Sequence, residues 1–145
     1  MRQPAALLTR LRPGYCFQAQ AFFGRLATAP TGSRRQLYNA LIQTLVQAGI
    51  WNRLDCLYVL AAANSSTALA NLINASFTMT LISTPTFTVD RGYATNGTST
   101  ALDTGFNPTL VSGPNWVLDD CSLAAWTTST PNAGTTPYGN FDDTN

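Results

Sequence analysis

Aspartate is the residue on which any acid–base chemistry of this chain would have to rest. The 145 residues include no His, no Lys and no Glu, so all eight basic residues are Arg and all seven acidic residues are Asp. Without His, no side chain titrates near neutrality unperturbed, and neither a Ser-His nor a Cys-His nucleophile pair can form. Without Lys there is no Schiff base. Two adjacent pairs, Asp119–Asp120 and Asp142–Asp143, are the candidates for paired-carboxylate catalysis. Both lie on expected loops, where solvated carboxylates are the simpler reading, so neither enzymatic activity nor a cofactor is expected. Cys16, Cys56 and Cys121 stand far apart and lack the clustered spacing of zinc ligands. Their odd number leaves at least one free or bonded to another chain; they read as small buried thiols, with a disulfide as the alternative. Asn64, Asn74 and Asn96 each open an N-x-Ser/Thr sequon, read as chance because the N-terminus makes a poor secretory signal.

Charge is scarce and unevenly placed. A tenth of the residues are charged, against roughly a quarter in typical soluble domains. Residues 1–53 hold seven arginines and no acid, while residues 54–145 hold one arginine and seven aspartates, a net of −6. Residues 1–32 are broken by Pro4, Pro13, Gly14, Gly24 and Pro30, and read as an extended basic arm. Within it Arg2, Arg10, Arg12 and Arg25, together with Phe17, Phe22 and Phe23, are the expected docking residues. Arginine suits bidentate contact with carboxylates, which points to an acidic partner such as another copy of the chain, and so to an oligomer or a larger assembly. Nucleic acid is not expected, because there is no lysine and no continuous basic face. A mitochondrial presequence is the alternative reading of the arm. No apolar run approaches the roughly 18 residues of a membrane span.

These groups need elements to hold them. "SRRQLYNALIQTLVQAG" predicts a helix over residues 33–48, with Ser33 as N-cap, Gln36 completing a capping box, and Gly49 as the stop. Leu37, Leu41, Leu45 and Ala48 form one row at helical spacing, expected inward, with Tyr38, Ile42 and Val46 beside it. "CLYVLA" is a short apolar run that suits a buried strand or a helix. "NSSTALANLIN" predicts a second, shorter helix capped by Asn64 or Ser65, with Leu69, Leu72 and Ile73 inward. From Ser76 the period changes to two: "FTMTLIS" and "TFTV" alternate apolar residues with threonines. Asn96-Gly97 and Asp103-Thr104-Gly105 supply turns, "NWVLDDCSLAAWTTS" predicts one or two further strands, and Tyr93 and Phe106 read as core. The class is α+β, with an arm at 1–32, a helical lead-in at 33–75 and a β-sandwich domain at 76–145. About five or six strands fit there, so the sandwich is expected to be incomplete: either this is the ordered portion of a longer chain, or a neighbouring subunit covers the open edge.

"RQLYNALIQTLVQAGIWNRLDCLYVLAAANSSTALANLI" followed by "STPTFTVDRGYATNGTSTALDTGFNP" resembles a family of phage and prophage proteins. In that family a helical lead-in of the form N-x-L-I…G-I-W-x-x-L-D-x-L-Y precedes a laminin-G-like or concanavalin-A-like sandwich of jelly-roll type. The similarity covers about residues 22–127. It implies a virion structural protein, tail- or fibre-associated, and it implies a late strand carrying a buried tryptophan, Trp126. The alternative it offers is a carbohydrate-binding module that presents the same sandwich to a glycan. Trp116, after "SGPN" on an expected loop edge, and Tyr138 are the candidate ligand-facing aromatics.

Overall fold

A computed structural model describes residues 14–111, 114–117 and 119–127. Three helices lead, α1 (Phe17–Arg25), α2 (Gly32–Gln47) and the short α3 (Ser65–Leu69), with a 3-10 turn at Trp51–Arg53 between the last two. Four three-residue strands follow: β1 (Thr80–Ile82), β2 (Thr86–Thr88), β3 (Gly92–Ala94) and β4 (Ala101–Asp103). The α+β class therefore stands.

The first correction concerns the arm. From residue 14 onward the chain is not extended but folded against its own next helix. Ala19 and Phe22 lie three residues apart on one side of α1, and both are buried in a core that includes Tyr38, Ile42, Trp51 and Leu72. Phe22 meets Tyr38 at 5.3 Å between ring centroids, and Phe23 lies edge-on to Tyr15 at 5.6 Å. Asn39 of α2 fixes the start of α1. Its Oδ1 accepts from the Cys16 amide at 2.7 Å, and its Nδ2 donates to the Gly14 carbonyl.

The second correction concerns the orientation of α2. Its buried residues are Tyr38, Asn39 and Ile42, whereas Leu37 is 71% exposed and Leu41 38% exposed. Leu45, lower in the expected row, is half-buried against the core. Positions 37 and 41 share the 3.6-residue period with 38 and 42, rotated by about 100°. Periodicity finds the helix, but which of two adjacent rows turns inward depends on the neighbour. Here Phe22 and Ala19 of α1 take the 38/42 row. Leu37→Ala is therefore expected to leave the unfolding free energy within about 0.5 kcal/mol of wild type in urea denaturation. A cost above about 2 kcal/mol would return this row to the core.

The ends of α2 split the expectation. The capping box does not form: Thr31 is the N-cap residue and makes no side-chain cap bond. Gly49 does stop the helix, with φ +69°. Its amide donates to the Val46 carbonyl and the Ile50 amide to the Leu45 carbonyl, closing a Schellman motif that satisfies two end carbonyls. Asn64 caps α3, accepting from the Thr67 amide at 2.8 Å. Residues 56–60, expected as strand or helix, are neither; they run as irregular chain whose Leu57 carbonyl accepts from the Leu72 amide.

The strands form two separate antiparallel pairs. β1 pairs with β4, Leu81 opposite Leu102, and β2 pairs with β3, Phe87 opposite Tyr93. Chain reversals cut the elements short. Positive φ at Ser83 and Thr84 ends β1, and Asp90, also at positive φ, turns β2 into β3. Gly92 opens β3 at φ +92°, where a Cβ would come within 3.2 Å of the Leu60 side chain. Glycine thus lets the β2–β3 hairpin lie close on the helical half. Tyr93 and Phe106 are half-buried, the latter edge-on to Phe77 at 5.1 Å. Residues 121–127 have no regular structure and Trp126 is 95% exposed, so the buried strand tryptophan expected there is corrected. Nothing in this part of the chain encloses an indole.

Candidate functional site

Leu37 and Leu41 border a shallow groove beside α2, of about 140 Å³, whose other walls are Arg34, Tyr38, Val59 and Ala61. An apolar helix face left in water is a recognised mark of an interaction surface. Its one charged wall, Arg34, is held in place. The guanidinium makes a two-pronged contact with Asp90 at 2.5 and 2.7 Å, the one ion pair among the described residues. The Asp90 amide in turn donates to the Ala62 carbonyl, and Ser65 and Tyr93 share a hydroxyl hydrogen bond of 2.6 Å. These contacts seat the β2–β3 hairpin on α2 and α3 and so shape the far wall of the groove.

The Arg34 hydrogen bonds hold the Asp90 carboxyl below the usual carboxylate range and raise the Arg34 guanidinium. A carboxylate depressed on folding stabilises the fold above its unfolded pKa, and that contribution disappears as pH falls through the lower folded value. Hairpin docking is therefore expected to hold at neutrality and to loosen below about pH 4, the ordinary Asp value. Hydrogen exchange at the Asp90 amide reads this directly. Its protection factor should drop on acidification, and a drop of the same size in Asp90→Asn would sink the assignment. Solvent screens this exposed pair, so the effect is local and global unfolding should shift little.

The expected docking residues are dispersed. Arg2, Arg10 and Arg12 lie outside the described residues. Phe17 is exposed, but Phe22 has no exposure and Phe23 is half-buried beneath the Arg35 guanidinium at 5.9 Å. Arg25 is engaged within the chain. Its Nη2 donates to the Asn71 and Leu72 carbonyls at 2.8 and 3.0 Å, and its guanidinium lies 5.7 Å from the Phe22 ring centroid. Phe22 is thus taken up by the core, and Arg25, though exposed, latches onto backbone carbonyls of its own chain.

The expected ligand-facing aromatics do not converge either. Trp116 is half-buried, edge-on to Phe106 at 6.4 Å, and its amide donates to Asp55 Oδ2 at 2.9 Å. Asp55 Oδ1 also accepts from the Asn115 amide at 2.8 Å, so one carboxylate ties this loop to the helical half. Tyr138 and the pair Asp142–Asp143 lie outside the described residues. Asp119 and Asp120 are exposed around an isolated bridge between Val117 and Asp120.

The three cysteines are free thiols, with Cys121 exposed and the other two half-buried. Burial pushes the Cys56 thiol up and the neighbouring Tyr58 hydroxyl higher still, which disfavours thiolate chemistry at neutral pH. Among the described residues no three His, Cys, Asp or Glu side chains gather as metal ligands. No helix among them is long and apolar enough to cross a membrane.

No family model, curated protein or solved structure matches this chain.

Sequence reasoning missed three polar brackets: Asn39, Asn71 and Asp55. Each organises backbone amides from distant segments. The available signal was an asparagine set among apolar residues, in "YNALI" and "ANLIN", where a buried polar side chain needs partners.

Proposed function

We propose that this chain is a structural subunit of a phage particle, tail- or fibre-associated, which acts by binding neighbouring subunits and catalyses no reaction. The observation that carries the reading is the apolar row Leu37–Leu41, exposed on a well-formed helix beside a groove. A subunit that works alone in water gains nothing from such a row, whereas one that is built into an assembly buries it on docking. The similarity of the helical lead-in and the "DRGYATNGTSTALDTGFNP" segment to phage and prophage proteins supports the same reading. The chemistry agrees with it: aspartate is the one carboxylate type in the chain, there is no His or Lys, and the thiol at Cys56 is suppressed. In this reading the two open strand pairs are what this chain supplies toward a jelly-roll sandwich, and neighbouring strands complete it. The subunit is made in the bacterial cytoplasm and resides in the virion.

Purified particles test this. Mass spectrometry of gradient-banded phage should find the chain at a fixed ratio to the major structural proteins, and Leu37→Asp should lower its incorporation. Recovery only from the soluble fraction of lysed cells would overturn the proposal.

A further inference from the structure

The loop between β3 and β4 closes on a single side chain. Asn96 Oδ1 accepts from the Thr98, Ser99 and Thr100 amides at 3.0, 2.9 and 3.0 Å, and from the Thr100 hydroxyl at 3.0 Å. The Asn96 amide donates to that same hydroxyl oxygen at 2.7 Å, which fixes its position. Successive amides turned inward form a nest, a concavity suited to negative charge. The four donors outnumber the two lone pairs of a neutral carboxamide oxygen and better suit an oxygen that carries a full charge. The next residue is Gly97, in the chain's one Asn-Gly pair. It is exposed at φ +74°, and its amide has no hydrogen-bond partner among the described residues. Glycine has no Cβ to shield that nitrogen from close approach. The bond from the Thr98 amide closes a small ring through Gly97 and so folds the Asn96 carboxamide back toward the Gly97 nitrogen.

We infer that Asn96 is a self-modifying site, at which the amides of residues 98–100 and the Thr100 hydroxyl form an oxyanion hole for deamidation of the chain's own asparagine. The inference is independent of the virion reading. The Gly97 nitrogen gives its proton to hydroxide and bonds to the Asn96 Cγ, while the carbonyl electron pair moves onto Oδ1. All four donors already stand within hydrogen-bond distance of that oxygen, so the developing charge is met without reorganisation. Collapse of the oxyanion breaks the Cγ–Nδ2 bond. Ammonia leaves, taking its extra proton from water, and a succinimide remains. Water then opens the ring at either carbonyl. One product has Asp at position 96, whose carboxylate accepts from the same nest. The other is an isoaspartyl link, which routes the main chain through the former side chain and lengthens it by one carbon. Either product gives this loop a negative charge that it lacked. The change is one-way and needs no enzyme, so it marks the age of the folded molecule.

Peptide mass spectrometry on the full-length chain, aged at mildly alkaline pH, tests this. The peptide that holds Asn96 should exchange NH for O and separate into aspartyl and isoaspartyl forms. The folded chain should react at least about ten-fold faster than the same chain unfolded in guanidinium chloride, a modest share of the 10²–10³ that one such donor supplies in a water-excluded site. Thr100→Val removes the hydroxyl donor and should cancel most of that advantage, while its unfolded rate matches wild type. Ser99→Ala keeps all four donors and gives up only the Ser99 hydroxyl that accepts from Asn96 Nδ2, so it should stay close to wild type. A folded chain that reacts no faster than the unfolded one would show that the loop shields Asn96, and would overturn the inference. So would Thr100→Val reacting as wild type when folded, or Ser99→Ala slowing as much as Thr100→Val, since loop order and not the donors would then set the rate.

Discussion

Phe22→Ala is expected to remove about 3–5 kcal/mol from the unfolding free energy, the range for deleting a buried phenylalanine. Small domains have totals of only about 5–15 kcal/mol, so the variant should be largely unfolded near physiological temperature. The reason is positional. Phe22 has no exposure, sits between α1 and α2 against Phe23 and Tyr38, and lies under the Arg25 guanidinium. Truncation leaves the Tyr38 ring facing a void that neither helix can close without breaking the Asn39 bonds to Gly14 and Cys16. Urea denaturation measures the loss, and Phe17→Ala, on the exposed side of the same helix, is the control. The same packing predicts that removing residues 1–32, which takes Ala19 and Phe22 with it, should not leave a folded chain. A Phe22→Ala cost below about 1 kcal/mol, or a stable 33–145 fragment, would show that α1 is a dispensable attachment.

Asn71→Ala is the second large effect, expected at about 3–5 kcal/mol from several unmade hydrogen bonds at about 1–3 kcal/mol per unsatisfied group. The side chain is 2% exposed and fully used. Its Oδ1 accepts from the Leu57 amide at 3.1 Å and the Ile73 amide at 3.0 Å. Its Nδ2 donates to the Asp55 and Ser76 carbonyls, at 3.4 and 3.3 Å. Residues 55–57 and 73–76 have no strand or helix of their own, so this amide replaces a ladder of backbone bonds. Alanine would strand buried donors and acceptors from both segments. Asn71→Asp separates hydrogen bonding from volume: it keeps the acceptor, loses the donors and buries a charge. Its deficit should therefore shrink as acidification neutralises the carboxylate, while that of Asn71→Ala stays flat. Equal, pH-independent losses in both would mean that Asn71 matters only for its size.

Both residues show where sequence reading reached and where it stopped. The helix of residues 32–47 was legible because its signals are local: an apolar period, few breakers, and a glycine free to take positive φ at the end. The Asn64 cap was legible for the same reason, since it closes a bond only three residues away. The capping box at Ser33 failed on a local detail, the N-cap falling at Thr31, two residues earlier than the pattern suggested. Threonine and aromatic alternation found strand-forming stretches but not their lengths, because left-handed turns at Phe77, Ser83, Thr84 and Asp90 are invisible in residue type.

Of the candidate site, composition showed that aspartate alone was available for acid–base work and that positive charge was gathered in the first 53 residues. It also marked Phe22 and Phe23 as too apolar for water, but not what would cover them.

By itself, then, the sequence determined the order of helices before strands, the span and stop of the long helix, the poverty of titratable groups and the opposed charge of the two halves. Each is a property of composition or of residues a few positions apart, where rotamer freedom, backbone sterics and short-range hydrogen bonds dominate. Tertiary structure alone decided that the Phe22 side of α1 closes on Tyr38 and Ile42, that Leu37 and Leu41 are left outside, that Arg25 latches the chain at Asn71, and that β1 passes over the hairpin to pair with β4. Those choices turn on which surfaces fit and which buried polar groups find partners 16 to 60 residues away. Such contacts are set by the packing of the whole core, and a pattern with a period of two or 3.6 residues carries no record of it.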